Sequence, residues 1–499
     1  MANLPVMKSP GVYVREIDLS QYSAIMSSLK IFGIVTVAQN GPIDKIVEIS
    51  NVREFINTFG NPISAGGIAC VRYLVNAGNL KVVRTAGNSA AARTTTLAGV
   101  DSEDQAVTNA LVISHKYKGT LYSDAIKVTV SAISGATVDK FNLKITKGDD
   151  DTELVNGNYT IVKANATSEY PYIIDESDTD FVFTLGTDTT LKSLTAVTNQ
   201  ALTVGDNGTE LTNEQITNSI NVFNDAENID LDVIAAPGMY SAAALTALIT
   251  CATDRKDTLA ILDPPQGLTP EEVVQFANGL NVQYGMSKID STYAAMWYPW
   301  GKVYNEYTSA YEWMPPSVGI IAGMGLEYQT YDVWTAPAGI PRMQVNVYSE
   351  MERVLSKKDR DILYPEHINP ICNYKGLGMT AFGQKTMQRA LTATDRINVR
   401  FLVNYVKKVA DYSTALFLFS NIDENTFSSW TQVIDKELAN IKNRGGMYDY
   451  KITMDWTTVT DECLNNNIMP GVIQIKPTKS AEFIPIDVVI RNRSDEFDT

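Results

Sequence analysis

The most continuous alternation of apolar and polar positions lies in the last third of the chain, from about Ile362 to Ile490. An amphipathic run from Asp395 to about Leu418 predicts one helix. Trp430, Val433, Ile434, Leu438 and Ile441 recur at helical spacing and predict a second, which Gly445 and Gly446 stop. There the period changes to two. Tyr448, Tyr450, Ile452 and Met454 alternate as in a half-buried strand, and Ile484, Ile486, Val488 and Ile490 do so again near the end. This order reads as a compact α+β unit.

The first hundred residues predict a small α/β unit. Ile31 to Val37 is an apolar strand closed by the turn-like QNGP, and Ile43 to Ile49 is a second strand candidate. From about Asn51 to Gly60, Val52, Phe55, Ile56 and Phe59 share one helix face, with Ser50 or Asn51 as cap. Gly67 to Asn76 predicts another helix and Leu80 to Thr85 a strand. Before all this lies an arm, residues 1–20, whose Pro5, Pro10 and Gly11 leave only a short Val12, Tyr13, Val14 alternation.

From about Ala86 the chain becomes rich in Thr, Ser, Asp and Gly. Strand-like alternation at Ala125 to Ala132, Asp139 to Ile145, Tyr159 to Val162 and Phe181 to Leu185 predicts an antiparallel module inserted at 95–225. Strands and helices then alternate again. Leu231 to Gly238, Thr258 to Pro265 and Ala294 to Trp300 read as strands, and Thr269-Pro270-Glu271-Glu272 opens a helix with cap, first-turn proline and carboxylates. Gly319, Gly323 and Gly325 invite close packing. The fold expected is multidomain, α+β and α/β: an arm (1–20), a small α/β domain (21–94), the β-rich insertion (95–225), an α/β middle domain with a parallel or mixed sheet (226–360), an α+β domain (361–481) and a C-terminal arm (482–499).

Charge and cysteine usage narrow the function classes. The formal net charge is −16, and Asp101 to Asp230 holds 21 acidic against 8 basic residues, so 13 of those charges fall in that stretch. Such a surface is a solvated outer face and disfavours direct nucleic-acid binding. Cys70, Cys251, Cys372 and Cys463 are too scattered for a disulfide staple or a metal knuckle and are expected as buried thiols. Neither a signal-peptide core in residues 2–20 nor an uninterrupted membrane-spanning run is present, so the expectation is synthesis in the cytoplasm without membrane insertion.

Candidate chemistry is sparse. Asp263, at a predicted strand end, is followed by two prolines and has no histidine near it in sequence. His115 and His367 cannot supply a metal site alone. Gly378 to Thr386, GMTAFGQKT, looks like a phosphate-binding loop, but Gln384 separates Gly383 from Lys385 and breaks the adjacent Gly-Lys such a loop needs. Catalytic, cofactor and metal residues are therefore expected to be none. Trp297, Tyr298, Trp300, Tyr304, Tyr307, Tyr311 and Trp313 form an aromatic belt with Lys302 as its one basic member, suited to a core wall or subunit interface rather than a phosphate-tracking groove.

Several stretches in this order resemble the contractile tail sheath proteins of myovirus-type bacteriophages and related contractile injection systems. They are SPGVYVREID at Ser9 to Asp18, GIVTVAQNGPIDKIVEISNVREFINTFG at Gly33 to Gly60, LDVIAAPG, LAILDPP, YAAMWYPW and PPSVGIIAGMGLEYQTYDVWTAPAG at Pro315 to Gly339. LYPEHINPI, GLGMTAFGQKT and FSSWTQVIDKELANIKNRGGMYDY continue the series, while about 95 to 225 matches poorly outside YKGTLYSDAIKVTV. The chain departs from the family at Glu327, Tyr328 and Tyr331 and at Phe401-Leu402-Val403.

The resemblance implies a non-enzymatic virion tail subunit, assembled in the host cytoplasm. Six-membered rings of it stack around an inner tail tube and contract to drive the tube into a cell envelope, with baseplate and tail terminator proteins as further partners. It also implies strand-exchanging arms, matched here by Val12, Tyr13 and Val14 and by Ile484, Ile486, Val488 and Ile490. A helix near the tube would carry Ile434, Lys436, Glu437 and Lys442. The competing readings are a baseplate or capsid component, and a nucleotide-dependent α/β enzyme.

Overall fold

The computed structural model describes residues 31–486 apart from 122–124, 149–151, 178, 187–190 and 209–210. They fall into two compact units, residues 31–404 with 477–486, and residues 405–476. The described N-terminal part runs β1 (Phe32–Val37), β2 (Ile46–Ile49), α1 (Val52–Phe59), α2 (Ala65–Asn76) and β3 (Leu80–Thr85). Asn51 caps α1 by accepting from the Glu54 amide at 2.9 Å, and Ser64 caps α2 from the Gly67 amide at 3.1 Å.

The chain then leaves for eight strands: β4 (Thr94–Asp101), β5 (Ala106–His115), β6 (Ile126–Ala132), β7 (Lys140–Lys147), β8 (Thr152–Thr160), β9 (Phe181–Leu185), β10 (Leu191–Leu194) and β11 (Val197–Ala201). They form two four-stranded antiparallel sheets, ordered β10-β4-β5-β9 and β11-β6-β7-β8. One core lies between them, where Leu111, Ile113 and Phe183 from one sheet meet Val128, Leu143 and Ile145 from the other. Alternation generates this sandwich, since each strand turns every second side chain inward.

The return path is α3 (Asn213–Asn221), β12 (Val233–Ala235), α4 (Ala242–Arg255), β13 (Leu259–Leu262), α5 (Pro270–Ala277), β14 (Ala294–Tyr298), β15 (Gly301–Asn305), β16 (Ala310–Met314) and α6 (Pro316–Thr330). After these come β17 (Glu350–Met351), α7 (Lys357–Leu363), β18 (Ile368–Asn373) and β19 (Met379–Ala381). An eight-stranded sheet results, ordered β19-β18-β14-β13-β12-β1-β3-β2. Its inner strands pair in parallel and β2 and β19 pair antiparallel at the edges.

Strand alternation splits its burial between two faces. Ile34, Val82, Val233 and Trp297 join α1, α2 and α6 on one face; Val35, Val83, Ile234 and Met296 join α3, α4 and α5 on the other. Gly319 and Gly325 of α6 provide the close approach anticipated for them. A Cβ at Gly319 would stand 2.2 Å from the Tyr348 ring, and one at Gly325 3.0 Å from the Tyr73 ring. The Tyr348 hydroxyl donates to the Pro315 carbonyl and accepts from the Gly319 amide, each at 2.7 Å.

Two placements differ from the sequence expectation. Residues from Ile368 to Ala381, grouped by the sequence with the C-terminal helices, extend the large sheet because the apolar β18 pairs in parallel with β14. Residues 213–221, at the end of the expected β-rich stretch, form α3, whose Ile216 and Ile220 pack with the α/β layer.

Arg84, on β3, is fully buried where the sandwich chain departs and returns. Its guanidinium donates to the carbonyls of Ala38 (3.1 Å), Gly41 (2.7 Å) and Lys118 (2.7 Å) and to the Asn207 side-chain oxygen (3.0 Å). Burial lowers its pKa to about 10. Four acceptors from three stretches of chain surround one cation, so the base of the sandwich is tied to the large sheet.

The remaining elements are α8 (Ile397–Ala415), whose residues divide between the two units, then α9 (Glu424–Asn443), β20 (Met447–Thr453), α10 (Asp461–Asn465) and β21 (Val472–Pro477). Within 405–476, α9 buries Trp430, Ile434, Leu438 and Ile441 of the stripe its spacing implied, with Phe427 added one turn earlier and Val433 only half-buried. Trp430 Nε1 donates to Thr414 Oγ1 at 2.8 Å, and a Cβ at Gly471 would come within 2.7 Å of the indole. Cys70, Cys251 and Cys372 are free and buried as expected, while Cys463 is only half-buried.

Candidate assembly surfaces

Among the described residues, β20 and β21 form a sheet of two strands. A two-stranded ribbon is marginal unless something else holds it. Here the Tyr450 hydroxyl donates to Asp435 Oδ1 of α9 at 2.8 Å, and Asp449 receives Lys442 at 2.9 Å and Lys476 of β21 at 3.6 Å. The Lys442 hydrogen bond also holds the Asp449 carboxyl below its ordinary range. Every second side chain of β21 is exposed. The ribbon is thus clipped to α9 and carries edges on which a further strand can pair through its main chain.

The expected site residues divide. On the helix expected near the tube, Ile434 is fully buried on the inward stripe of α9 and belongs to the core of its own unit. Lys436 is exposed, Glu437 half-buried, and Lys442 exposed but paired with Asp449. Ile484 and Ile486 stand 74% and 79% exposed, outside any strand. Val12, Tyr13, Val14, Val488 and Ile490 lie outside the described residues.

Just before Ile484 the chain is held against the larger unit. Glu482 receives Arg396 Nε at 2.6 Å and Arg396 Nη2 at 3.0 Å, a two-pronged ion pair. Gln384 Nε2 donates to Glu482 at 3.2 Å and to Ser480 Oγ at 2.5 Å. Tyr364 completes the socket, its hydroxyl pKa pushed up by burial first and then by the charge of Glu482 and its hydrogen bond to it. A groove of about 610 Å³ lies between residues 391–399 and 477–483.

This arrangement also accounts for the phosphate-loop look-alike. Lys385 Nζ donates to the Tyr364 carbonyl at 2.8 Å and lies 4.4 Å over the Tyr364 ring centre, and Gln384, the residue that breaks the motif, binds the C-terminal segment instead. Both oxygens of Asp263 are engaged by the fold. One oxygen accepts from the Ser317 amide at 2.9 Å; the other accepts from Ser317 Oγ at 2.6 Å and the Gly238 amide at 3.1 Å. It caps the start of α6, and burial pushes its pKa up to about 6. His367 Nδ1 donates to the Thr386 carbonyl at 2.9 Å. No group of three His, Cys, Asp or Glu side chains among the described residues could hold a metal ion, and none of the described helices is long and apolar enough to cross a membrane.

The aromatic belt separates by strand, with both faces of β14 buried and β15 and β16 carrying the exposed rings. Trp297, Tyr298 and Trp300 are buried, whereas Tyr304, Tyr311 and Trp313 stand outward on the three-stranded sheet β16-β15-β17. Tyr304 pairs with Tyr311 at 5.1 Å between ring centres, and Lys302 Nζ lies 5.3 Å over Trp313. Sequence reading found the belt but neither Arg84 nor Glu482, single charged residues whose partners lie far along the chain.

No family model matches the chain. Among curated proteins it is 31% identical to the tail sheath protein of Vibrio phage KVP40 over 257 residues, 49% of this chain and 38% of that protein. It is 24% identical over 491 residues to the tail sheath protein of Salmonella phage ViI, covering 93% of this chain and 72% of that one, and 26% identical over 304 residues to that of Enterobacteria phage T4. The chain is similar to the sheath proteins of contractile phage tails. Its match spans less than half the length of two of these sheath relatives, 38% and 46%.

Sheath structures share the fold. The sheath tail protein of Listeria innocua superposes with a TM-score of 0.62 at 13% identity over 91% of this chain and 93% of that one. The helical sheath of the anti-feeding prophage in its contracted state gives 0.56 at 15% identity over 97% and 99%. The mixed α/β, several-sheet architecture is therefore that of sheath proteins.

Proposed function

We propose that this chain is the structural subunit of a contractile tail sheath, polymerising as stacked six-membered rings around an inner tube and shortening to drive the tube through an envelope. The observation that carries this reading is the β20–β21 ribbon. It is clipped to α9, has no third strand among the described residues, and is accompanied by an exposed, strand-patterned C-terminal segment beginning at Ile484. Main-chain pairing between one subunit's arm and another's ribbon gives affinity without a rigid interface, so contact survives rotation of the subunits.

In this assignment residues 1–20 and 482–499 are arms that pair with neighbours. The acidic sandwich of residues 94–201 is the outward-facing module, and Lys436 and Glu437 of α9 face the tube side. The tube protein, baseplate and terminator are the further partners, and the assembled particle is a virion tail built in the host cytoplasm. Variants lacking residues 2–20 or 482–499 remain folded and soluble but do not polymerise; normal-length sheaths from either would overturn the arm assignment. Deleting residues 95–205 leaves ring stacking intact, and loss of all tubes from a cleanly folded deletion would overturn the outward-module assignment.

A further inference from the structure

We propose that Glu482 is a latch that fixes where the C-terminal arm leaves the α/β unit, with Tyr364, Gln384 and Arg396 as its socket. This rests on the arm reading above and adds the residue that aims the arm.

Three features distinguish the contact from an incidental surface pair. Its partners are 86 residues apart in sequence, so no local geometry produces it. It is two-pronged, the arrangement in which a planar guanidinium fixes a carboxylate in direction as well as distance. It is also sheltered, with side-chain exposures of 26% for Arg396 and 16% for Glu482. Gln384 is 2% exposed and gripped by the same segment, bonding Ser480 as well as Glu482. The side chains of Ser480 and Glu482 turn inward to polar partners, while Phe483, Ile484 and Ile486 are exposed.

Order therefore changes abruptly at residue 482. Up to Glu482 the chain is held by charged and amide side chains from the 384–396 stretch; beyond it, apolar side chains at alternate positions stand in solvent. An arm tethered at its root searches a smaller volume than one released at Lys476, and its effective concentration at a fixed acceptor is higher. The latch also sets where the arm's reach begins, because residues 477–481 lie behind the held Glu482.

The test uses the full-length chain with Glu482→Ala and Glu482→Gln. Trypsin cutting after Lys479 needs the flanking residues in its cleft, so docking of Ser480 and Glu482 protects that bond. Release of the fragment beginning at Ser480, followed by mass spectrometry, is expected to be at least tenfold faster in E482A than in the parent and intermediate in E482Q. Circular dichroism should be unchanged. Electron microscopy of the same samples should show E482A sheaths shorter or formed only at higher concentration. Equal cleavage rates in the parent and E482A would overturn the latch. So would E482A assembling like the parent when the 482–499 deletion does not assemble. Normal assembly of that deletion would instead overturn the arm reading itself.

Discussion

The Arg84 guanidinium stands 3.0 Å from the side-chain oxygen of Asn207, so one buried cation on β3 holds the chain on its way back from the sandwich. The same group holds Lys118 on the way out and Ala38 and Gly41 at the end of β1. A module that must move with its subunit needs a joint of this kind, because covalent connection through loops alone would leave it swinging.

Replacing Arg84 with Met removes the donors and leaves buried carbonyls unpaired. The expected loss is about 3 kcal/mol, read as a lowered urea midpoint, together with faster proteolysis near Lys116 and Lys118. An unchanged midpoint and digestion pattern would show that the joint is held elsewhere.

Gly319 and Tyr348 are a second coupled pair. Gly319→Ala drives a methyl into the ring and costs roughly 1–3 kcal/mol. Tyr348→Phe removes the hydroxyl between α6 and the Pro315 carbonyl and costs roughly 1–3 kcal/mol. Because Gly319→Ala displaces the same ring, the double variant should lose less than the sum. Strict additivity in denaturant titrations would contradict the packing account.

Much of this was readable in advance, and what escaped did so for physical reasons. β1, β3 and β9, the capping Asn51, the Thr269 helix start and the inward stripe of α9 are written in local periodicity. β4 was missed because its Thr-rich start lacks apolar contrast, and β21 because it follows a polar turn-rich stretch. Ile368 to Ala381 was misplaced since a parallel partner such as β14 leaves no mark on the strand that joins it. Arg84 and Glu482 carry no local signal at all. Gln384 did, as the residue that spoiled a phosphate loop, but only the fold shows what it binds instead.

Glu327 sets a pH dependence. It is 2% exposed, neither carboxylate oxygen has a hydrogen-bond partner among the described residues, and burial pushes its pKa up to about 8, with Arg342 opposing. The unfolded value is near 4.5, so between about pH 4.5 and 8 the folded chain holds a proton the unfolded chain has lost. Stability therefore falls as pH rises through that window. Glu327→Gln should flatten the fall, and denaturation curves that keep the parent's slope would contradict this. Asp263 adds a contribution of the same sign between its ordinary value and about 6.

With Lys385 committed to Tyr364 and Gln384 to Glu482, magnesium ATP should give no binding heat in calorimetry. Saturable binding lost in Lys385→Ala would revive the nucleotide-dependent reading.

The most direct measurement is negative-stain electron microscopy of the purified full-length chain. Long hollow cylinders built from stacked rings are the predicted result; compact symmetric particles that never stack, at any concentration, would contradict the assignment of a sheath subunit.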